Sequence, residues 1–234
     1  MTRRKSLFSR AKQIYGSEGL GSLLRRGLAF VLSLIFKYQT YYLYKDPLQG
    51  LRLPNEADVL PRVHDFAPKV VTTNQEADEL EAEGFEFRSQ VLNAREKLDK
   101  GAMAFCIFVG QELANIGWIA LTQEAMDSLG ELPCRVDFSD YEAYGGGMWT
   151  NPKFRKRGIH LYGMFKRLEF LQSKGIKAEH SVVAKDNVAP QKSNALGGML
   201  PFPGPYAEGR YLRILWWRSW KERPLTHAND MSQT

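Results

Sequence analysis

Apolar and polar positions change period several times along the chain, and each change marks an element. Ala102 to Val109 is an unbroken apolar run of strand length, Gly110-Gln111 closes it, and Leu113 to Leu121 returns. That pattern predicts a hairpin. Further on, Leu161, Met164, Phe165, Leu168 and Leu171 recur at three- and four-residue intervals. Leu161 to Lys174 is therefore predicted to be an amphipathic helix, ended by Gly175. Strand-like runs flank it, Tyr141 to Trp149 before and Ile176 to Ala184 after. Tyr41 to Tyr44, Lys69 to Thr72 and Tyr211 to Trp217 are further strands. Thr73-Asn74-Gln75-Glu76 has capping-box spacing and opens an acidic helix that stops before Gly84. Arg88 to Lys100 reads as a second helix closed by Gly101, Met126 to Pro133 as a loop, and Cys134 to Phe138 as an added strand. Val188 to Leu196 is a short helix with Pro190 held to an early turn. Residues 46–68, with Pro47, Pro54, Pro61 and Pro68, form a connecting segment. The order β-α-α-β-β-β-α-β-α-β implies a mixed, twisted α/β sheet.

Two more helical stretches, Ser6 to Tyr15 and Leu20 to Phe36, are split by Gly16, Gly19 and Gly21. The second is amphipathic at first and almost wholly apolar from Leu28 to Phe36. Those nine residues would span ~14 Å as helix, well short of a bilayer core. Charge sharpens the picture. Residues 1–45 hold nine cations against one anion, Glu18, so the rest of a chain of net charge +6 carries −2. The basic character belongs to this arm. Its apolar content favours an anionic membrane surface over nucleic acid, and the tyrosines at 38, 41, 42 and 44 suit an interface. Packing on its own domain or on a second copy, as a homodimer element, is the alternative. A secretory signal is not expected, because the apolar stretch begins late and no small-residue cleavage site follows.

The 234 residues suit one domain with an extension. The divisions expected are a helical arm at 1–45, the connecting segment at 46–68, an α/β domain at 69–222 and a polar tail at 223–234. Cys106 lies in an apolar run, and with Cys134 as the other cysteine there is no disulfide framework. A reducing cytoplasm follows, with attachment at the inner face of the membrane if the arm binds lipid. His64, His160, His180 and His227 show no ligand spacing, so no metal is expected.

Candidate chemistry concentrates at residues 150–160, Thr-Asn-Pro-Lys-Phe-Arg-Lys-Arg-Gly-Ile-His, between a predicted strand and a predicted helix. Backbone N–H groups at a helix start, the helix dipole and three adjacent cations suit a phosphate or pyrophosphate. Gly158 lets the backbone approach it closely. The spacing Thr150-x-Pro152-x-x-Arg155-x-x-Gly158-x-His160 resembles the acetyl-CoA loop of the GNAT acetyltransferase superfamily. Val183-x-x-x-Asn187 followed by Gly197-Gly198 resembles that family's second patch, and Phe105 to Trp118 its central hairpin. The resemblance covers roughly residues 68–218.

The resemblance implies two central parallel strands, Tyr141 to Thr150 and Ile176 to Ala184, that splay at the basic loop. It implies pantetheine against the main chain of Met148, Trp149 and Thr150. It places pyrophosphate on the N–H groups of Lys156, Arg157, Gly158, Ile159 and His160, beside Arg155. Asn187 and Ser193 hold the cofactor arm, Ser193 lying in the region where the family often has a tyrosine that acts as acid toward the thiolate. His160 departs from the family's glycine or alanine and either reaches phosphate or crowds it. Gly145-Gly146-Gly147 marks a bulge, a place where substrate approaches the backbone, or a flexible corner. The reaction implied is direct attack of a neutral amine on an acyl-CoA thioester. Glu142 is the first candidate for the base and His180 the second. Tyr144 shares Glu142's face by strand alternation. Tyr162 or Tyr206 could replace the missing acid. The donor implied is acetyl-CoA and the acceptor a small amine or amino sugar. A long-chain acyl donor, from CoA or acyl carrier protein, is a second reading. The Trp216-Trp217-Trp220 cluster would suit a lipid product, or would serve as core and lid packing. A third is a non-catalytic acyl-CoA-binding module.

Overall fold

The structure is a computed structural model that describes residues 35–130, 132, 134–187 and 202–225. The expected helices at 6–15 and 20–36 (apart from its last two residues), the short helix at 188–196, Ser193, Gly197-Gly198 and most of the tail lie outside them. The chain divides into two compact units, Met1–Thr40 with Arg210–Lys221, and Tyr41–Gly209 with Glu222–Thr234.

Eight strands are described: β1 (Phe36–Pro47), β2 (Phe66–Val71), β3 (Met103–Val109), β4 (Glu112–Ala120), β5 (Glu142–Thr150), β6 (Ala178–Ala184), β7 (Ala207–Ile214) and β8 (Trp217–Pro224). Their hydrogen-bonded order is β2-β3-β4-β5-β6-β1-β7-β8. Strands β2 to β5 run antiparallel to their neighbours, β5 and β6 are parallel, and β6 is antiparallel to β1. This is the mixed sheet expected. The helices are α1 (Glu56–Val59), α2 (Asn74–Ala82), α3 (Ala94–Asp99), α4 (Gln123–Leu129) and α5 (Ile159–Ser173).

Within the larger unit both sheet faces are covered, so β3 and β4 are buried along nearly their whole length. On one face Val71, Ala104, Cys106, Phe108 and Trp118 pack under Ala77, Leu98 and Met126 of α2, α3 and α4. On the other, Met164, Leu168 and Leu171 of α5 meet Phe105, Ile119 and Ala143, while Ile159, Tyr162 and Phe165 meet Ile107 and Ala114. Each fully buried leucine or phenylalanine contributes roughly 1.5–3 kcal/mol. Thr73 caps α2 as its spacing predicts, its Oγ1 accepting from the Glu76 N–H at 3.1 Å. The Glu76 carboxylate reaches back to the Thr72 N–H, one residue earlier than a standard box.

Several expectations are corrected. The helix of Arg88 to Lys100 shrinks to Ala94–Asp99, because Asn93 takes a left-handed conformation (φ 56). Arg88 is instead buried against the Asp78 and Glu81 carboxylates, at 2.5 Å each. The loop of Met126 to Pro133 begins as helix α4, capped by Thr122 Oγ1 accepting from the Ala125 N–H. Cys134 to Phe138 is not a strand. Asp137 accepts from the Ser139 and Asp140 N–H groups and turns the chain there. Strand β1 is three times as long as Tyr41 to Tyr44, at 12 residues. The connecting segment contains α1 and the start of β2. The last strand is two, β7 and β8, joined at Leu215 (φ 54). Both cysteines are free and buried.

Candidate active site

The parallel strands pair over only four positions, from Glu142–Ala178 to Gly145–Ser181. Beyond that point β5 stays with β4 (Trp118–Gly146, Ile116–Trp149, Asn115–Thr150), and β6 stays with β1 (Tyr42–Val183, Tyr41–Ala184). The strands part, and among the described residues the facing main-chain edges of 146–150 and 182–183 do not pair with each other. Burial changes at the same place. Glu142 to Gly145 are buried, whereas Gly147, Met148 and Trp149 are exposed. Edges like these need hydrogen-bond partners, from water or from an extended ligand.

The glycine triplet lies at the fork. Three steps of β5 oppose two of β4 between Ile116 and Trp118, which is a bulge. Gly147 has φ 59, and a Cβ there would lie 3.0 Å from the Trp118 ring. A Cβ on Gly145 would fall on the Glu179 carboxylate. Of the readings open in the sequence, the bulge is observed. Asn115 fastens the outer edge, its Nδ2 donating to the Trp149 carbonyl and to Thr150 Oγ1, both at 2.9 Å.

The loop after β5 starts with a turn, where Asn151 Oδ1 accepts from the Lys153 N–H and Phe154 is buried as an anchor. Arg155, Lys156, Arg157 and Gly158 are exposed. Gly158 is left-handed at φ 80, so the turn into α5 itself requires glycine. No side chain caps α5, which leaves the Ile159, His160 and Leu161 N–H groups without an intrahelical acceptor. The loop is anchored from behind by the Arg62 N–H donating to the Arg157 carbonyl at 2.8 Å. Arg155 Nε donates to the Thr150 carbonyl at 3.3 Å and so turns toward the fork. His160 is half-buried. Burial, then the Arg167 charge, push its imidazole down to about 4, so it is neutral at pH 7 and adds no cation to the loop. Asn187 is exposed just past β6, its N–H on the Ala184 carbonyl.

Glu142 and His180 come together on the face covered by α2, α3 and α4. Glu142 Oε2 lies 2.9 Å from His180 Nε2 and accepts from the Asp137 N–H at 2.8 Å. Oε1 accepts from Lys45 Nζ at 2.5 Å. Burial pushes the Glu142 carboxyl up, but the Lys45 and Asp137 hydrogen bonds, with His180 and the Lys45 charge beside it, outweigh it and hold it below the usual range. Burial pulls His180 down more than Glu142 pulls it up. The pair is therefore carboxylate and neutral imidazole. His180 donates from Nε2, and its Nδ1 lone pair is buried without a partner among the described residues. Tyr144 is buried in the core beside them, with burial pushing its hydroxyl well up. Tyr206 is 37% exposed. Its hydroxyl is pushed up to about 12 by burial, with Cys134, Glu222 and Glu142 nearby adding to the shift. Tyr162 is buried elsewhere, its hydroxyl on Glu56 at 2.7 Å.

The opposite face holds a second charged group. Glu179 and Asp46, register partners on β6 and β1, are both buried, and Arg167 of α5 reaches Glu179 at 3.2 Å and Met148 Sδ at 2.9 Å. Burial, then the Glu179 charge, push the Asp46 carboxyl up to about 7, against the opposing pull of Arg167. Lys45, Asp46, Asp137, Arg167 and Glu179 were not singled out from the sequence. Arg167 among the leucines of α5 and Glu179 inside an apolar strand were the available signals. Among the described residues no group of three or more His, Cys, Asp or Glu side chains is placed to hold a metal ion.

No protein-family model matches the chain, and no curated protein matches it. Solved structures with a similar chain path include a GCN5-related N-acetyltransferase from Kribbella flavida, at 15% identity and TM-score 0.46, covering 80% of this chain and 63% of that one. Another, from Sphaerobacter thermophilus, shows 12% identity and TM-score 0.45 over 88% of this chain and 58% of that one. A conserved protein of unknown function from Staphylococcus epidermidis shows 13% identity and TM-score 0.43 over 80% and 66%. The chain thus spans less than two thirds of the length of each. At these values the likenesses add nothing to what the chain's own geometry carries.

Proposed function

We propose that the chain is an acyl-CoA-dependent N-acyltransferase of the GNAT kind, with acetyl-CoA as donor and a small amine or amino sugar as acceptor. One observation carries the reading: an open fork between parallel strands leads directly to an uncapped helix start beneath Arg155, Lys156 and Arg157. A fork edge accepts an extended amide chain, and a basic, uncapped helix start accepts a pyrophosphate. Few ligands besides CoA combine the two. The main chain of Met148 to Thr150 would pair with pantetheine. The N–H groups at 156–160 would hold pyrophosphate, with Arg155 as a charged donor and Asn187 on the far edge.

The proton route follows from the pair below the fork. Glu142 is ionised and already accepts three bonds, so it is a poor base, and its role becomes orienting His180. His180 Nδ1 is the lone pair available, directly or through one water, to take the proton from the amine as it attacks the thioester carbon. A main-chain N–H of the bulge at Gly147 or Met148 would hold the developing oxyanion. The C–S bond then breaks and CoA leaves as thiolate. Tyr206, protonated at neutral pH, would return a proton to it.

Calorimetry with acetyl-CoA tests the reading. Binding should be clear for the intact chain and should weaken by ~1.5–3 kcal/mol in Arg155→Ala, the scale of a charged hydrogen bond. Gly158→Asp should bind far more weakly, since a non-glycine residue is strained at φ 80 and its side chain would meet Leu60 and Pro61 behind the loop, shifting the turn that presents these N–H groups. Unchanged affinity in both variants would remove the loop from the site. Turnover of acetyl-CoA against palmitoyl-CoA with a panel of amines then assigns donor and acceptor.

A further inference from the structure

We infer that the smaller unit carries a docking tip for the surface of an anionic phospholipid bilayer, formed by the β7–β8 turn at Ile214 to Trp217 together with Ile35 and Phe36. Trp216 is 86% exposed, Trp217 53%, Phe36 50%, Leu215 48%, Ile214 42% and Ile35 40%. Six large apolar side chains on two short segments are far more than isolated surface hydrophobics, which need no explanation. The segments are joined, since the Leu215 N–H donates to the Ile35 carbonyl at 2.6 Å. Leu215 itself is left-handed (φ 54), a conformation kept at this turn despite its cost.

Charge identifies the occupant. Residues 35–40 and 210–221 contain Lys37, Arg210, Arg213, Arg218 and Lys221 and no Asp or Glu. Cations on the same two segments as the exposed tryptophans suit a layer of lipid phosphates over hydrocarbon. The chain that leads into the patch has the same character. The 34 residues before Ile35 carry seven cations and one anion, and the run from Leu28 enters Phe36 almost wholly apolar. Trp216 and Trp217 thereby acquire a role that neither core packing nor lid packing accounts for, and the inference stands whether or not acyl transfer is the activity.

The test uses the full chain and vesicles of phosphatidylcholine with and without phosphatidylserine. The chain should float with the phosphatidylserine vesicles at low salt and lose binding as salt rises. The double variant Trp216→Ser, Trp217→Ser should bind about tenfold or more weakly. Trp216→Tyr, which keeps an interfacial aromatic, should stay close to the parent, and thermal melts of all variants check that the fold persists. Bromine-labelled lipids should quench the intact chain and quench Trp216→Tyr markedly less. Equal vesicle affinity of the double serine variant would overturn the proposal and leave the N-terminal residues as the lipid contact. Failure of the intact chain to float would also overturn it. A dimer that becomes monomeric in the serine variant, with no flotation of either, would assign the tip to a second copy.

Discussion

At neutral pH the proton between His180 and Glu142 sits on the imidazole Nε2, because burial holds the histidine below its usual value while Lys45 and Asp137 hold the glutamate ionised. A neutral histidine acts as a base only above its own pKa. Acyl transfer should therefore fall as pH drops through a value below 6.5, with the plateau on the alkaline side. Replacing His180 by Ala should remove that acidic limb and lower the plateau by ~10²-fold. Glu142→Gln removes the attraction that raises His180, so the limb should move to lower pH while the rate falls. If Glu142 were the base, Gln would abolish the limb and His180→Ala would do less. Asp46 gives a separate pH signature in stability. Its carboxyl is raised from 3.8 to about 7 in the folded chain, so the stability it permits is full below pH ~4 and declines as pH rises toward 7. Asp46→Asn should stabilise the chain at pH 8 by on the order of 2 kcal/mol and leave it near the parent at pH 4. Melting curves at the two pH values check this, and equal shifts at both would contradict it.

The element that shapes the fork is the β5 bulge. Gly147→Ala should cost ~1–2 kcal/mol for a left-handed alanine, and the Trp118 contact at 3.0 Å adds to it. Because the bulge aims the main chain of Met148 and Trp149, the same change should weaken acetyl-CoA. Gly50→Ala is the control, at φ 74 with nothing within 4 Å. It should lower the melting temperature without touching CoA affinity. Much of this part of the molecule was legible in the sequence. The 3.6-residue period of Leu161 to Leu171 defined α5 to within two residues, and the apolar run and Gly110 defined the β3–β4 hairpin. Short-range signals sufficed there. They failed where a single backbone conformation or cap decides, as at Asn93, which delays α3, and Thr122, which starts α4. They also failed for β1, whose aromatic segment gave no hint of pairing with β6 some 140 residues later. That pairing is what carries Lys45 to Glu142 and Asp46 to Glu179. The charged groups of the candidate site were therefore readable one at a time, while their association was not.

Across the whole molecule, charge and chemistry are separated along the chain. The excess of cations lies in residues 1–45, and the remainder is slightly acidic apart from its concentrated loop at Arg155 to Arg157. Acyl-CoA binding is thereby expected to be a local property of the fork and loop, insensitive to neutralising the basic residues near the start of the sequence. The triplet Arg3→Gln, Arg4→Gln, Lys5→Gln should leave the calorimetric affinity for acetyl-CoA unchanged, and a large loss would mean that the arm takes part in the site. Amide hydrogen exchange with and without acetyl-CoA tests the central claim most directly. Protection should appear together in two segments, 146–150 on the open edge of β5 and 156–161 at the start of α5. Binding that protects neither segment, or no binding at all, would contradict the assignment of this fork as an acyl-CoA site.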